Sequence, residues 1–233
     1  MNRTFFEQVS QIISKTVQNV TLVTVTKSVR IDETNEIIRA GVTAIGENRV
    51  EDFEKKNSHL LPVEKHFIGK IQSRKIKRIV QLFDVIQSVG SIEYLEKIEK
   101  ETLAQRKPIK VLLQFNISGE EQKGGFDQKN LEQVIQAILS DSLPANSHEL
   151  AGKSESISTN HYVNIIGVMG MATDTKDTEV VRRQFRLLKD IRDALRAKFP
   201  DITELSMGMS NDYKIALEEG ATMLRIGRAF FNN

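Results

Sequence analysis

The feature that most constrains the fold is an alternation of short β-rich runs with amphipathic helical patterns along the whole chain. The predicted strands are VTLVTVT (20–26), the run ending in AIG (42–46), HFIG (66–69), FDVIQSV (83–89), KVLLQFNI (110–117), NIIGVMG (164–170), ELSM (204–207) and TMLRIG (222–227). Strands that alternate with helices are typical of parallel sheets with right-handed crossovers. Eight such strands predict a closed (β/α)₈ barrel, the TIM barrel.

The helical patterns support this prediction. In VRRQFRLLKDIRDALRAKF the apolar residues fall at three- and four-residue spacing, which is typical of an amphipathic helix. An additional helix is expected before the first strand. The alternative is an open doubly wound sheet, but no G-x-G-x-x-G follows the first strand. We expect residues 1–233 to form one α/β barrel domain.

One segment breaks the alternation. Residues 140–162, SDSLPANSHELAGKSESISTNHY, are polar, rich in Ser and Asn, and without a clear period. Long connections of this kind are uncommon in compact domains. The segment is therefore expected to be a flexible surface insertion.

The bulk composition excludes several classes of function. Lys and Arg number 33 against 31 Asp and Glu, so the net charge of +2 does not indicate a nucleic-acid or membrane partner. The chain has no cysteine, and its four histidines lack the spacing of a metal site. No signal peptide and no bilayer-length apolar run are evident. A cytoplasmic protein is the default expectation.

Two glycine turns near the C-terminus, at Gly208 and Gly227, flank the short helix DYKIALEEG. In a (β/α)₈ barrel the loops after strands 7 and 8 often bind phosphate. Ser210 supplies a hydroxyl, Asn211 is the expected N-cap, and the free N–H groups at a helix start favour an anion. Both glycines could equally be turn residues and no more.

Lys27 closes the otherwise apolar and β-branched run VTLVTVTK and shares the parity of Val23 and Val25. Partial desolvation would lower the pKa of its amine and suit it to Schiff-base chemistry. The alternative is a rim lysine that reaches water. A phosphate site and a rim lysine in one barrel together indicate a phosphorylated carbonyl compound.

These stretches resemble the pyridoxal phosphate homeostasis protein family, single-domain relatives of the alanine racemase barrel. The resemblance is collinear over nearly the whole chain, and the segments that carry it are LVTVTKS, IGENRVEDFEKK, HFIGKIQSRKIK, FNISGEEQKGGF and LSMGMSNDYKIALEEGATMLRIGRAFF. The chain departs from the family pattern at three positions, which are Lys70, Arg74 and Gly124.

The resemblance implies pyridoxal 5′-phosphate (PLP) as cofactor, held as a Schiff base on Lys27. It implies that Asn48 lines the cofactor pocket and that Arg225 sits near the pyridine nitrogen. The residues implied to meet the phosphate through side chain or backbone are Ser210, Gly227 and Arg228, and Met209 is implied as a further cofactor-binding residue. Lys123 stands at a recurrent lysine of the family, and a solvated loop lysine is its simplest interpretation.

The resemblance favours a PLP carrier or regulator in vitamin B6 homeostasis. We expect a monomer that serves PLP-requiring apoenzymes without catalytic turnover. A PLP-dependent amino-acid racemase-like enzyme is the alternative. It is disfavoured because no tyrosine sits in an obvious acid/base position and because, with six residues after Gly227, no second domain is expected. A Schiff-base aldolase that does not use PLP is the third hypothesis.

Overall fold

Eight parallel strands close into a barrel in chain order. The computed structural model describes residues 2–139 and 162–231. The strands are β1 (Thr21–Val25), β2 (Ala44–Glu47), β3 (Glu64–Phe67), β4 (Val85–Val89), β5 (Ile109–Gln114), β6 (Val163–Met169), β7 (Glu204–Ser206) and β8 (Met223–Ile226). Each pairs with the next, and β8 pairs with β1, with Leu22 opposite Leu224. The predicted TIM barrel is confirmed.

Helices follow the strands on the outside of the barrel. The helices are α1 (Arg3–Ser14), α2 (Ile31–Arg39), α3 (Val50–Asn57), α4 (Ile76–Leu82), α5 (Ile92–Gln105), α6 (Leu131–Leu139), α7 (Thr178–Arg196), α8 (Tyr213–Glu218) and α9 (Arg228–Phe231). Short 3₁₀ turns occupy Ser73–Lys75, Glu121–Lys123 and Gln128–Asn130. In α7 the periodic residues of the predicted helix are buried, and Asp177 caps its start by accepting from the N–H groups of Glu179 and Val180.

The predicted N-terminal helix is α1. The side chain of Asn2 accepts from the N–H of Phe5 and caps the helix. The ring of Phe5 lies 5.5 Å from that of Phe230 in α9, centroid to centroid. The backbone N–H of Asn2 also donates to the carbonyl oxygen of Phe230 at 2.7 Å. The two ends of the chain are therefore packed together beside β1 and β8.

The core has two parts. A large cluster lies between the strands and the surrounding helices. A small cluster consists of Val85, Leu112, Met169 and Met223. These four residues come from strands around the barrel and contact one another, so their side chains fill its interior.

Two strand boundaries differ from the prediction in ways that affect the site. β1 ends at Val25, so Lys27 lies in the turn that follows the strand. β3 begins at Glu64, two residues earlier than predicted, because Glu64 pairs with Ala44 of β2. Of the predicted insertion 140–162, only Tyr162 belongs to the described residues. A bilayer-spanning helix is absent from the described ranges.

Candidate functional site

A pocket of about 360 Å³ opens at the carboxyl ends of β1 and β8. The predicted site residues that line it are Lys27, Met209, Ser210, Arg225, Gly227 and Arg228. Lys123 and two aspartates, Asp174 and Asp212, line it as well. An adjoining pocket of about 570 Å³ shares both aspartates but contains none of the predicted site residues. The fold thus brings together Lys27, in the turn after the first strand, and the two C-terminal turns.

Asn48 follows β2, the strand next to β1, on the same face of the barrel. It lines a separate pocket of about 440 Å³ together with Gly69 and Lys70. A Cβ on Gly69 would lie 2.1 Å from the carbonyl oxygen of Asn48, so the turns after β2 and β3 pack directly on each other. Asn48 does not line the pocket that contains Lys27, but Val25 is paired with Gly46, so Lys27 and Asn48 each follow a paired position of neighbouring strands by two residues. The cofactor role of Asn48 stays a prediction.

The turn after β7 is held by Asp212. Its Oδ1 accepts from the backbone N–H of Met209 at 2.5 Å, and burial raises the pKa of its carboxyl. Asp212, not the predicted Asn211, occupies the N-cap position of α8, because Asp212 is the last residue with non-helical backbone. The helix ends before Gly220, whose φ is +93°, a conformation that favours glycine at a helix C-terminus.

Several backbone N–H groups at the pocket are free. Within the described ranges, no hydrogen bond uses the N–H of Ser210, Asn211 or Gly227. Gly227 lies against β1, and a Cβ there would come within 2.9 Å of the Cβ of Val25. Only glycine lets the backbone run this close to the strand, which leaves the turn after β8 open towards the pocket.

Arg225 forms the inner wall of the pocket. It is 5% exposed; its Nη1 donates to Ser206 Oγ at 2.6 Å and its Nη2 to the carbonyl oxygen of Gly170 at 2.9 Å. Burial lowers the pKa of its guanidinium to about 10. A guanidinium has five N–H donors, so hydrogens remain for a ligand in the pocket.

Lys27 is exposed at the rim of the pocket and is not buried in the barrel. The turn that carries it is nevertheless anchored. Lys56 of α3 donates to the carbonyl oxygen of Thr26 at 2.8 Å and forms a buried ion pair with Glu47. The hydroxyl of Thr26 donates to Glu47 Oε1 at 2.5 Å. A buried ion pair therefore fixes the backbone immediately before Lys27.

Lys123 is not the solvated loop lysine that the sequence suggested, because its amine forms two hydrogen bonds. Its Nζ donates to Glu120 Oε1 at 2.7 Å and to the carbonyl oxygen of Ala172 at 2.6 Å. The bond from Lys123 lowers the pKa of Glu120. Lys123 joins the loops after β5 and β6 and lines the same pocket as Lys27.

Several residues that support the site were not predicted from the sequence, among them Glu47, Lys56, Gln87 and Ser206. The inward position of Gln87 could have been predicted from the sequence. In FDVIQSV it alternates in step with Val85 and Val89, which places it on their side of the sheet. Glu47 and Lys56 had no such signal, because their pairing depends on how α3 packs on the barrel.

Comparison with known proteins identifies a family. Residues 5–232 match the family model described as the alanine racemase N-terminal domain. The pyridoxal phosphate homeostasis protein of Vibrio alginolyticus is 33% identical over 223 residues, which cover 93% of this chain and 88% of that protein. Sequence similarity thus extends over nearly the full length of both proteins.

Solved structures agree with this match. PipY of Synechococcus elongatus, with PLP bound, superposes with a TM-score of 0.79 at 27% identity, covering 97% of this chain and 99% of that one. The alanine racemase of Clostridium difficile superposes with a TM-score of 0.76 at 12% identity. That match covers 99% of this chain but 55% of the racemase, and it shows a shared fold alone.

Proposed function

This chain belongs to the alanine racemase N-terminal domain family and, within it, to the pyridoxal phosphate homeostasis proteins, and we propose that it binds PLP on Lys27 and maintains the cell's supply of that cofactor without catalytic turnover. The observation that carries the proposal is the pocket that Lys27 shares with Ser210, Gly227 and Arg225. It unites an amine, a set of anion donors and a buried cation in one cavity.

The residues present fit a phosphorylated aldehyde. Lys27 is an exposed primary amine, the chemistry needed for a Schiff base. The free N–H groups of Ser210, Asn211 and Gly227, with the Ser210 hydroxyl and Arg228, form a donor set for a phosphate dianion. The missing Cβ of Gly227 makes room for the backbone to meet the anion.

Arg225 would lie against the ring nitrogen. When bound, PLP supplies an aldehyde that is reactive towards amines and a pyridine ring that can withdraw electrons. A guanidinium beside the ring nitrogen disfavours its protonation, because a proton would add a second positive charge there. Arg225 would keep the ring a weak electron sink, which suits holding the group more than turning over amino acids.

The pocket wall supports a carrier over a racemase. Tyrosine and histidine, which are common proton donors and acceptors in catalysis, are not among the described residues that line the pocket. Of the two carboxylates there, Asp174 and Asp212, Asp212 accepts a hydrogen bond from the N–H of Met209. Lys123, the second amine in the pocket, is committed to Glu120 and Ala172. We propose that PLP-requiring apoenzymes are the recipients. We also propose that the protein is a cytoplasmic monomer.

The test is an absorption spectrum of the purified protein with PLP, before and after borohydride, followed by peptide mass mapping. The expected result is a visible band that borohydride removes, with the added mass on the peptide containing Lys27. Lys27→Ala abolishes the band, whereas Lys123→Ala, in the same pocket, retains it. A band that survives in Lys27→Ala overturns the assignment, and sustained amino-acid racemization by the wild type overturns the carrier role.

A further inference from the structure

A line of buried polar side chains crosses the barrel interior next to Arg225. Ser206 of β7, Gln87 of β4 and His66 of β3 are each 0% exposed. The barrel interior also holds the apolar cluster of Val85, Leu112, Met169 and Met223, and Gln87 Nε2 lies 3.9 Å from the Sδ of Met223. Polar groups in such surroundings destabilise the fold unless they are hydrogen-bonded. Their presence together in the barrel therefore needs an explanation.

The three side chains form one continuous hydrogen-bonded chain with Arg225. Arg225 Nη1 donates to Ser206 Oγ at 2.6 Å, and Ser206 Oγ donates to Gln87 Oε1 at 2.7 Å. Gln87 Nε2 and His66 Nδ1 are 2.7 Å apart, and His66 Nε2 and Glu64 Oε2 are 2.9 Å apart. The chain therefore links the pocket to the start of β3.

The direction of the chain is fixed by its chemistry. A guanidinium only donates, so Ser206 accepts from Arg225 and sends its own hydrogen to the carbonyl oxygen of Gln87. The amide nitrogen of Gln87 then faces His66 Nδ1, and it also lies 3.9 Å from the Sδ of Met223, a weak acceptor. Nδ1 must accept, so the neutral ring carries its hydrogen on Nε2 and donates it to Glu64.

The far end of the chain is a charged carboxylate. Glu64 is bound by His66 and by Lys110 Nζ, which lies 3.0 Å from its Oε1. The His66 hydrogen bond is the main cause that lowers the pKa of Glu64 to about 2, with Lys110 contributing. The chain thus runs from a cation at the pocket to an anion at the other end, with every intermediate group donating in the same direction.

We propose that His66, Gln87 and Ser206 are positioning residues that fix the orientation in which Arg225 meets the ring nitrogen of the bound ligand, with Glu64 as their anchor. The inference rests on the proposed function for its ligand. An arginine side chain has much rotamer entropy to lose, and hydrogen bonds at both Nη atoms hold it in one rotamer. The charge of Asp212 acts on Arg225. The hydrogen bonds of the guanidinium within the described ranges, however, go to a neutral hydroxyl, that of Ser206, and to the carbonyl oxygen of Gly170.

The first test uses the unliganded protein, so it does not depend on PLP. Long-range ¹⁵N–¹H correlation spectra of the histidine rings, with His66→Gln for assignment, report which nitrogen carries the hydrogen. A neutral His66 ring with its hydrogen on Nε2 is expected. A hydrogen on Nδ1 overturns the chain as drawn, whatever the protein binds.

The second test uses the PLP-loaded protein. Ser206→Ala removes the link to Arg225, and Gln87→Met removes the next link with little change in side-chain volume. Each is expected to shift the visible absorption maximum and to weaken PLP binding about tenfold. Because both act through one chain, the double variant shifts the band no further than the larger single effect.

Matched controls are Gln133→Met and Ser73→Ala, since Gln133 and Ser73 are exposed. They are expected to leave the band in place. An unmoved band in both Ser206→Ala and Gln87→Met, or shifts that add in the double variant, overturns the positioning role. Failure of the wild type to take up PLP would instead overturn the proposed function, while the histidine spectrum still decides the chain.

Discussion

Lys56 holds the residue that precedes Lys27, because its Nζ donates to the carbonyl oxygen of Thr26 at 2.8 Å. The same ammonium pairs with Glu47 at the end of β2, and the side chains of Lys56 and Glu47 are 9% and 1% exposed. Glu47 Oε2 is buried without a hydrogen-bond partner, so Lys56 and Thr26 together compensate that carboxylate. Breaking such a pair is costly because it leaves one charge buried alone.

Replacing Lys56 by Met is expected to lower the free energy of unfolding by about 3–5 kcal/mol, because Glu47 would stay buried without its cation. Urea denaturation followed by circular dichroism measures this change. Lys97→Met is the control, since the Lys97–Glu93 pair on α5 has side-chain exposures of 44% and 64% and contributes about 0–0.5 kcal/mol. Equal losses in the two variants would show that the buried pair does not anchor the turn.

A companion variant separates charge from packing. Lys56→Met combined with Glu47→Gln removes both charges while keeping an acceptor for the hydroxyl of Thr26. We expect this double variant to recover part of the stability that Lys56→Met loses. No recovery would indicate that lost packing of the Lys56 side chain, not an unpaired carboxylate, causes the effect.

The fold could be predicted from the sequence because the signals that specify it are local and repeated. The eight strand signals and the apolar spacing of α7 each act over a few residues, and the barrel is the arrangement that satisfies them together. The C-terminal turns were readable for the same reason. Ser210 and Gly227 fall in the loops that the strand count assigns to phosphate.

The contacts that support the site could not be predicted from the sequence, because they depend on how distant segments pack together. Lys56 reaches Thr26 across 30 positions only through the packing of α3 on the barrel. The choice between Asn211 and Asp212 as N-cap depends on the backbone angles of one residue. Gln87 could be predicted to face inwards, but its partner Ser206 lies 119 positions away.

The lowered pKa of Glu64 predicts that the stability of the protein depends on pH. Because the pKa of Glu64 falls from 4.5 to about 2 on folding, its carboxylate stabilises the protein above pH 4.5, and this contribution is lost as the pH falls from 4.5 towards 2. Glu64→Gln is therefore expected to cost roughly 1 kcal/mol near neutral pH, after allowance for solvent screening of a carboxylate that is 35% exposed.

Urea denaturation of wild type and Glu64→Gln at pH values from about 6 to about 3 measures the difference. The difference in free energy of unfolding between wild type and Glu64→Gln should decrease as the pH falls. Glu93→Gln reports the effect of removing one exposed helix carboxylate. A difference that stays constant or increases on acidification contradicts a lowered pKa of Glu64 in the folded protein.

Gly227→Ala tests the close approach of the turn after β8 to β1. The added methyl would lie 2.9 Å from the Cβ of Val25 and 3.1 Å from its carbonyl oxygen, so the turn must shift. We expect a loss of about 1–3 kcal/mol in stability and a marked loss of PLP binding, because the free N–H of residue 227 moves with the turn.

The control for Gly227→Ala is Gly41→Ala. Gly41 has φ +103° and open space around its Cα, so alanine there costs about 1 kcal/mol through backbone strain alone. It follows α2 on the side opposite to the pocket, and PLP binding should be unchanged. Loss of PLP binding in both variants would attribute the effect to general instability instead of the turn.

Ser210→Ala distinguishes the phosphate from the rest of the ligand. The described residues provide no hydrogen-bond partner for the Ser210 hydroxyl, which lines the pocket beside the free N–H groups of the turn. A hydrogen bond to a charged group contributes about 1.5–3 kcal/mol, so Ser210→Ala is expected to weaken PLP binding about tenfold or more. Binding of pyridoxal, which lacks the phosphate, should not change, and spectroscopic titration measures the affinities for PLP and for pyridoxal.

Ser28→Ala, next to Lys27 but outside the pocket lining, is the control and should leave both affinities unaltered. Equal weakening of PLP and pyridoxal in Ser210→Ala would place this serine at the ring or the aldehyde and remove it from the phosphate site.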